Sequence, residues 1–206
     1  MSTVPDQSRF HDMYSAPAPA PWDIGRPQSA IGNAADLAKS PLLDSGCGTG
    51  DTAIFFASRG HKVTGVDFLE EPIRRAKQKA ADRKLSVNFL QKDALTLDQW
   101  DQRFNTIIDS GLFHVFDDDN RVRYVAGLAR ILNPNGVLLL LCFSDAEPPG
   151  NGPRRISRDE LQKAFATGWQ IESIQPTRFG TNPQSADLGF SPGGPKAWFA
   201  VIRRSG

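Results

Sequence analysis

Short apolar runs alternate with amphipathic stretches along most of the chain. The β-like runs fall at 41–44, 62–67, 86–91, 104–109, 136–143, 169–176 and 196–203. The fifth, GVLLLLCF, has no polar position at all, which is the mark of a strand covered on both faces, as in a parallel sheet flanked by helices. Helical spacing fills the gaps between them. Residues 51–59 carry Ile54, Phe55 and Ala57 and stop before Gly60, a residue suited to a left-handed helix end. The next helix, near 70–84, has Pro72 in its first turn, where proline is tolerated. In the third, Val122, Val125, Leu128, Ala129 and Leu132 follow the acidic start Asp117, Asp118 and Asp119, and Pro134 closes it. The fourth opens on Ser157 with Glu160 three positions on, a capping box, and stops at Gly168.

No helix-length segment separates 169–176 from 196–203, so these two strands pair without a crossover and run antiparallel. The pattern therefore predicts an α/β fold: a seven-stranded, mostly parallel sheet with an antiparallel last strand and helices on both faces. Residues 1–30 are polar and rich in proline, with Ala and Pro alternating from Ala16 to Pro21. They read as an arm that starts out mobile, with order beginning near Trp22, and residues 31–206 read as the folded domain.

At 206 residues and 22.6 kDa, there is room for one domain of this kind and not for a second catalytic one. The 24 Lys and Arg balance 23 Asp and Glu to a net charge of +1, so no charge excess points to nucleic acid as a partner. No apolar stretch approaches the roughly 20 residues of a membrane helix, and the N-terminus lacks the basic start and apolar middle of a secretory leader. A cytoplasmic protein is expected. Cys47 and Cys142 both fall inside apolar structure, and the three histidines are scattered, so neither a disulfide framework nor a metal site is predicted.

The chemistry concentrates in LLDSGCGTG (42–50), where a buried strand runs into Gly46, Gly48 and Gly50 and then a helix. Glycines at such a turn let the backbone approach a nucleotide-like ligand closely. A dinucleotide fingerprint needs its third glycine at position 51, occupied here by Asp51, and a phosphate loop needs Gly-Lys-Ser/Thr, which is absent.

With Asp44 ahead of the glycines, the pattern D-x-G-x-G-x-G resembles the first motif of class I S-adenosylmethionine-dependent methyltransferases. That resemblance implies a Rossmann-like fold with S-adenosylmethionine as cofactor, bound by the loop Gly46, Cys47, Gly48 and Gly50 beneath Asp44. Asp67, closing the second strand, would accept the ribose hydroxyls, and Phe68 would lie against the adenine. Asp93 and the amide of Ala94 resemble the family's adenine-edge contacts. Asp109 and Ser110, after the fourth strand, would border the methionine part and the reaction centre. Enzymes of the family that methylate nucleic-acid bases carry Asn/Asp-Pro-Pro-aromatic there, and this chain has Asp109-Ser110-Gly111.

PWDIGRPQ (21–28), following Tyr14, is similar to the N-terminal lid of the small-molecule branch that includes thiopurine, thiocyanate and halide methyltransferases. Residues 143–161 are also similar there. Trp22 would close over the cofactor as an apolar cover. Ser110 stands where the thiopurine enzymes have arginine, and DSGLFH (109–114) is closer to bacterial methyltransferases acting on phenolic, quinone-like or heterocyclic acceptors. The resemblance thus implies methyl transfer to an O, N or S atom of a small molecule. His114 is the candidate base, since an unperturbed imidazole titrates near neutrality, although halide or thiolate acceptors would need none. Tyr14 and Arg26 are candidate substrate contacts. A nicotinamide-dependent oxidoreductase on a similar sheet and a non-catalytic cofactor-binding protein are the alternatives.

Overall fold

The computed structural model describes residues 7–15, 19–150, 152–182 and 188–206. Seven strands form one sheet: β1 (Leu42–Ser45), β2 (Val63–Asp67), β3 (Asn88–Gln91), β4 (Phe104–Ser110), β5 (Leu132–Phe143), β6 (Trp169–Arg178) and β7 (Lys196–Arg204). Their order is β3-β2-β1-β4-β5-β7-β6. β1 runs parallel to β2 and β4, β4 runs parallel to β5, and β7 is antiparallel to both β5 and β6. The expected reversal of the last strand is what the structure shows.

The helices are α1 (Gln7–Ser15), α2 (Ser29–Asn33), α3 (Asp51–Ser58), α4 (Glu70–Asp82), α5 (Asp118–Ile131) and α6 (Arg158–Ala164). They divide the core in two. Leu138, Leu140 and Cys142 of β5 face one apolar cluster with Tyr124 and Leu128 of α5, while Val137, Leu139 and Leu141 face the other with Phe56 of α3 and Ile73 of α4. This alternation explains the unbroken apolar run, because each face of the central strand needs its own apolar residues. Both cysteines are buried and free. Among the described residues, no helix is long and apolar enough to cross a membrane.

Three boundaries differ from the sequence expectation. α5 ends at Ile131 and passes directly into β5, so Pro134 lies inside the strand and does not close the helix. The register shift opposite Phe104 and Thr106 accommodates it, since a proline that cannot donate to the ladder is tolerated at a bulge. α6 ends at Ala164, short of Gly168, although its capping box is intact: the Ser157 N–H donates to Glu160 Oε2 at 2.8 Å and the Glu160 N–H to Ser157 Oγ at 3.1 Å. The arm is ordered before Trp22. α1 already packs against α4, and its Tyr14 is buried; residues 16–18 of the Ala/Pro run lie outside the described residues.

The strand order reverses between β1 and β4. In open sheets of this type the crevice beyond the strand ends at that point is where ligands bind.

Candidate active site

A cavity of about 940 Å³ opens at that crevice, near the upper end of the usual size for a ligand pocket. Its first wall is the glycine loop. Gly46, Gly48 and Gly50 have φ of +71°, +51° and +84°, so the turn from β1 into α3 uses backbone that L side chains rarely adopt. The Cys47 N–H donates to the Val66 carbonyl at 2.8 Å, which pins the loop to β2. Asp67, at the end of β2, holds it from the other side: Oδ2 accepts the Gly48 N–H at 3.0 Å and Oδ1 the Leu69 N–H at 3.1 Å.

Burial raises Asp67 to about 6 from an ordinary 3.8, against the lowering effect of its backbone donors. Asp44 is more extreme. It is buried, its Oδ2 has no hydrogen-bond partner, and burial followed by repulsion from Asp109, Asp67 and Asp51 raises it to about 7. An orphaned buried carboxylate oxygen on a cavity wall is poised for a cationic or hydrogen-donating ligand. The nearby cation, Lys79, is committed to Asp51 at 3.1 Å and Thr49 at 2.7 Å. This donor set of carboxylates and backbone suits a nucleoside with free hydroxyls and a positive charge. It does not suit a pyrophosphate.

The arm covers the loop. Trp22 Nε1–H donates to the Tyr14 hydroxyl at 3.1 Å, Arg75 donates to the Tyr14 carbonyl at 2.8 Å, and the Thr49 hydroxyl donates to Asp23 at 3.0 Å. A Cβ on Gly48 would lie 2.7 Å from the Tyr14 hydroxyl, so this glycine is required by close approach as well as by φ. Phe10 packs near both Trp22 and Phe68, with ring centroids 6.1 and 6.2 Å away. Asp93 caps the turn after β3 by accepting the Leu95 N–H at 2.9 Å, beside buried Ala94.

The opposite end of the cavity is aromatic. His114 is buried between Phe143, 5.0 Å away, and Phe179, 5.8 Å away, and Phe190 packs on Phe143 at 5.6 Å. The Phe143 N–H donates to His114 Nδ1 at 2.8 Å. A backbone N–H can only donate, so Nδ1 carries the lone pair and the neutral ring holds its proton on Nε2. Burial, then Arg155 and Arg121, push this imidazole down to about 3, with a backbone bond to Gly111 opposing them.

Trp22, Asp44, Gly46, Cys47, Gly48, Asp67, Phe68, Asp93, Ala94, Ser110, Tyr14, Arg26 and His114 all border this one cavity. Gly50 and Asp109 do not. Gly50 is a packing position, where a Cβ would come within 2.7 Å of Phe89 and 2.8 Å of Ala76. Asp109 is consumed by its own turn: it accepts the Leu112 and Phe113 N–H groups at 2.8 and 3.0 Å and the Tyr124 hydroxyl at 2.9 Å. Arg26 is exposed at the rim and bonded to Ser29 at 3.2 Å. His11 and His61 are not on the wall; the latter meets Ser40 at 3.1 Å.

Several site residues carry no local sequence signal. Phe179 and Phe190 come from a Gly/Pro-rich stretch, and Gln28 reaches Gly180, donating to its carbonyl at 3.1 Å and accepting its N–H at 2.7 Å. Glu147 is buried and accepts the N–H groups of Ser191 at 2.9 Å and Lys196 at 2.8 Å, joining the segment after β5 to the one before β7. A glutamate in a Pro/Gly loop reads as solvated from sequence alone.

Comparison with known proteins gives a consistent picture. Residues 42–136 match the family described as Methyltransferase domain. The chain is 35% identical to 2-heptyl-1-hydroxyquinolin-4(1H)-one methyltransferase of Mycobacteroides abscessus, over 96% of this chain and 89% of that one. A solved structure described as "Conversion of a Disulfide Bond into a Thioacetal Group during Echinomycin Biosynthesis" is 35% identical with a TM-score of 0.82, covering 100% of this chain and 93% of the other. The fold also matches, at 21% identity and a TM-score of 0.69, Burkholderia thailandensis 1,6-didemethyltoxoflavin-N1-methyltransferase, over 97% of this chain and 87% of that one.

Proposed function

The chain belongs to the S-adenosylmethionine-dependent methyltransferases that act on small molecules, and from that premise we propose that it methylates an O, N or S atom on a flat, largely apolar acceptor. The observation that carries this reading is the continuity of the cavity: a carboxylate-lined end and an aromatic end share one space, with Ser110 and Gly111 between them. The relatives' acceptors include a hydroxyquinolone and a toxoflavin precursor, ring systems that an aromatic wall of this kind accommodates.

When bound, S-adenosylmethionine supplies a methyl group on a positively charged sulfur, a good leaving group. The chain's own work is then positioning, which can supply much of the rate. Asp67, already fixed by two backbone donors, has lone pairs left for ribose hydroxyls. Asp44 offers its unpartnered oxygen to the positively charged methionine end. Phe68, Asp93 and Ala94 border the adenine space, while Tyr14 and Trp22 close it from above and keep water out. Gly46 and Cys47 bring backbone against the ligand. His114, Phe143 and Phe179 hold the acceptor ring, and Arg26 stands at the entrance.

Calorimetry with S-adenosylhomocysteine and with a nicotinamide dinucleotide tests the cofactor side, and tight binding of the latter alone would sink the reading. Mass spectrometry of hydroxylated heterocycles, quinols and thiols incubated with enzyme and cofactor tests the acceptor side. Appearance of a methylated product is expected in at least one of these classes.

A further inference from the structure

Building on that function, we propose that the acceptor enters as a preformed anion, the deprotonated hydroxyl of a flat aromatic ring acidic enough to ionise in neutral water. Among the described residues, no proton acceptor is free where the methyl group is transferred. The first argument is the accounting of lone pairs at the aromatic end. His114 is the buried titratable side chain there, and its Nδ1 lone pair is taken by the Phe143 N–H. Its other nitrogen carries the proton beside Gly111, where a Cβ would be 3.6 Å from Nε2. Asp109 has both oxygens engaged by its turn and by Tyr124. Ser110 is a neutral hydroxyl with no base beside it among the described bonds.

The second argument is the field. The charged groups that act on His114 are Arg155, from the segment after β5, and Arg121, from α5; the segment just after β6 contributes the ring of Phe179. Arg155 lies over the Phe143 ring at 5.5 Å and Arg121 over Phe113 at 4.8 Å. Arg121 is buried among apolar residues, and Glu160 and Asp118 answer it from 3.5 and 3.8 Å. Two guanidiniums behind aromatic walls disfavour a third cation such as imidazolium and lower the cost of holding an anion. The cavity's carboxylates come from other segments: Asp23 from the arm, Asp44 from β1, Asp51 from the start of α3, Asp67 from the end of β2, Asp93 from the turn after β3, and Asp117 to Asp119 from the start of α5, where Asp118 is paired with Arg154 at 2.6 Å.

In the proposed sequence the hydroxyl gives its proton to bulk water before entry. The acceptor oxygen then bonds to the methyl carbon as the carbon–sulfur bond breaks and its electron pair returns to sulfur, so the transfer step releases no proton.

The probes are a series of nitrophenols of graded acidity, whose neutral and ionised forms differ in colour. With enzyme saturated by S-adenosylhomocysteine, the bound probe is expected to show the phenolate spectrum at pH values well below its solution pKa. In turnover with S-adenosylmethionine, the acidic midpoint of kcat/KM should shift along the series in step with each probe's own ionisation. His114→Gln should lower the rate yet leave that shift in place. A bound probe that stays neutral, a midpoint that stays fixed across the series, or a midpoint that ceases to exist in His114→Gln would each overturn the proposal, as would failure of every nitrophenol to bind the loaded enzyme. Failure of S-adenosylhomocysteine itself to bind would instead overturn the function on which it rests.

Discussion

The two ends of the cavity are built by different means. At the glycine-loop end, the ligand wall is mostly backbone, flanked by two carboxylates close to it in sequence: Asp44, just before the glycines, and Asp67, at the end of β2, which accepts the Gly48 N–H. At the aromatic end, the wall is side chains from separate segments, His114, Phe143, Phe179 and Phe190, and the buried Glu147 ties the segment after Phe143 to the backbone beside Phe190 and at the start of β7. The first construction tolerates little change because its conformation is dictated by φ and by close approach. The second can change its lining residues while Glu147 keeps its frame, which suits a fold whose relatives methylate different acceptors.

Separate failure of the two ends is the sharpest test of this contrast. Asp67→Ala removes an acceptor for two backbone N–H groups and should cost about 3 kcal/mol or more in cofactor binding, a hundredfold or greater rise in Kd by calorimetry, since bonds to charged groups are worth about 1.5–3 kcal/mol each. Acceptor binding to enzyme that has been forced to saturation should move far less. Equal losses at both ends would break the comparison.

Glu147→Ala should do the reverse. It strands two buried N–H groups, so the acceptor KM should rise about tenfold with cofactor Kd nearly unchanged, and Tm should fall by about 4–8 °C if about 2 kcal/mol is lost. Although burial pushes Glu147 up, the Lys196 and Ser191 donors hold it below its ordinary 4.5. Its contribution is therefore complete above that value and lost as pH falls through the lower folded one.

Asp44→Asn probes the cost of readiness at the glycine-loop end. A carboxyl raised to about 7 from 3.8 destabilises the empty protein most above pH 7 and progressively less toward pH 4. The variant should melt a few degrees higher than the parent at pH 8, converge with it on acidification, and bind cofactor more weakly. Melting curves with and without ligand would decide it; a lower Tm at pH 8 would contradict the assignment.

The smallest effect belongs to His114. With its folded value pushed down to about 3 from 6.5, the neutral ring stabilises the protein fully above pH 6.5, and this is lost progressively as pH falls toward 3. Carbon-13 or nitrogen-15 resonances of this ring should show the neutral form, protonated on Nε2, throughout pH 5 to 9. Titration near 6.5 would restore the imidazole as a candidate base.

What was legible in the sequence follows the same divide. The seven strands, the reversal of the last one and the loop with its two carboxylates are encoded over short stretches, where spacing and residue type suffice. Asp109 and Gly50 were drawn toward the ligand by their place in a motif, whereas their side positions are spent on a turn and on packing against Phe89. The arm is written as proline-rich and polar, yet it is ordered by partners far along the chain, Arg75 and the glycine loop. Nothing local announces Glu147, Phe179 or Phe190, because their roles exist only once the sheet has brought separate segments together.

The two hydrogen bonds between Gln28 and Gly180 span 152 positions. The arm therefore has no mate to clasp until the sixth strand has joined the sheet and brought the residues after it alongside. Closure of the chamber is thereby coupled to completion of the sheet, whereas the turn that cradles the nucleoside is anchored by neighbours close to it in the chain.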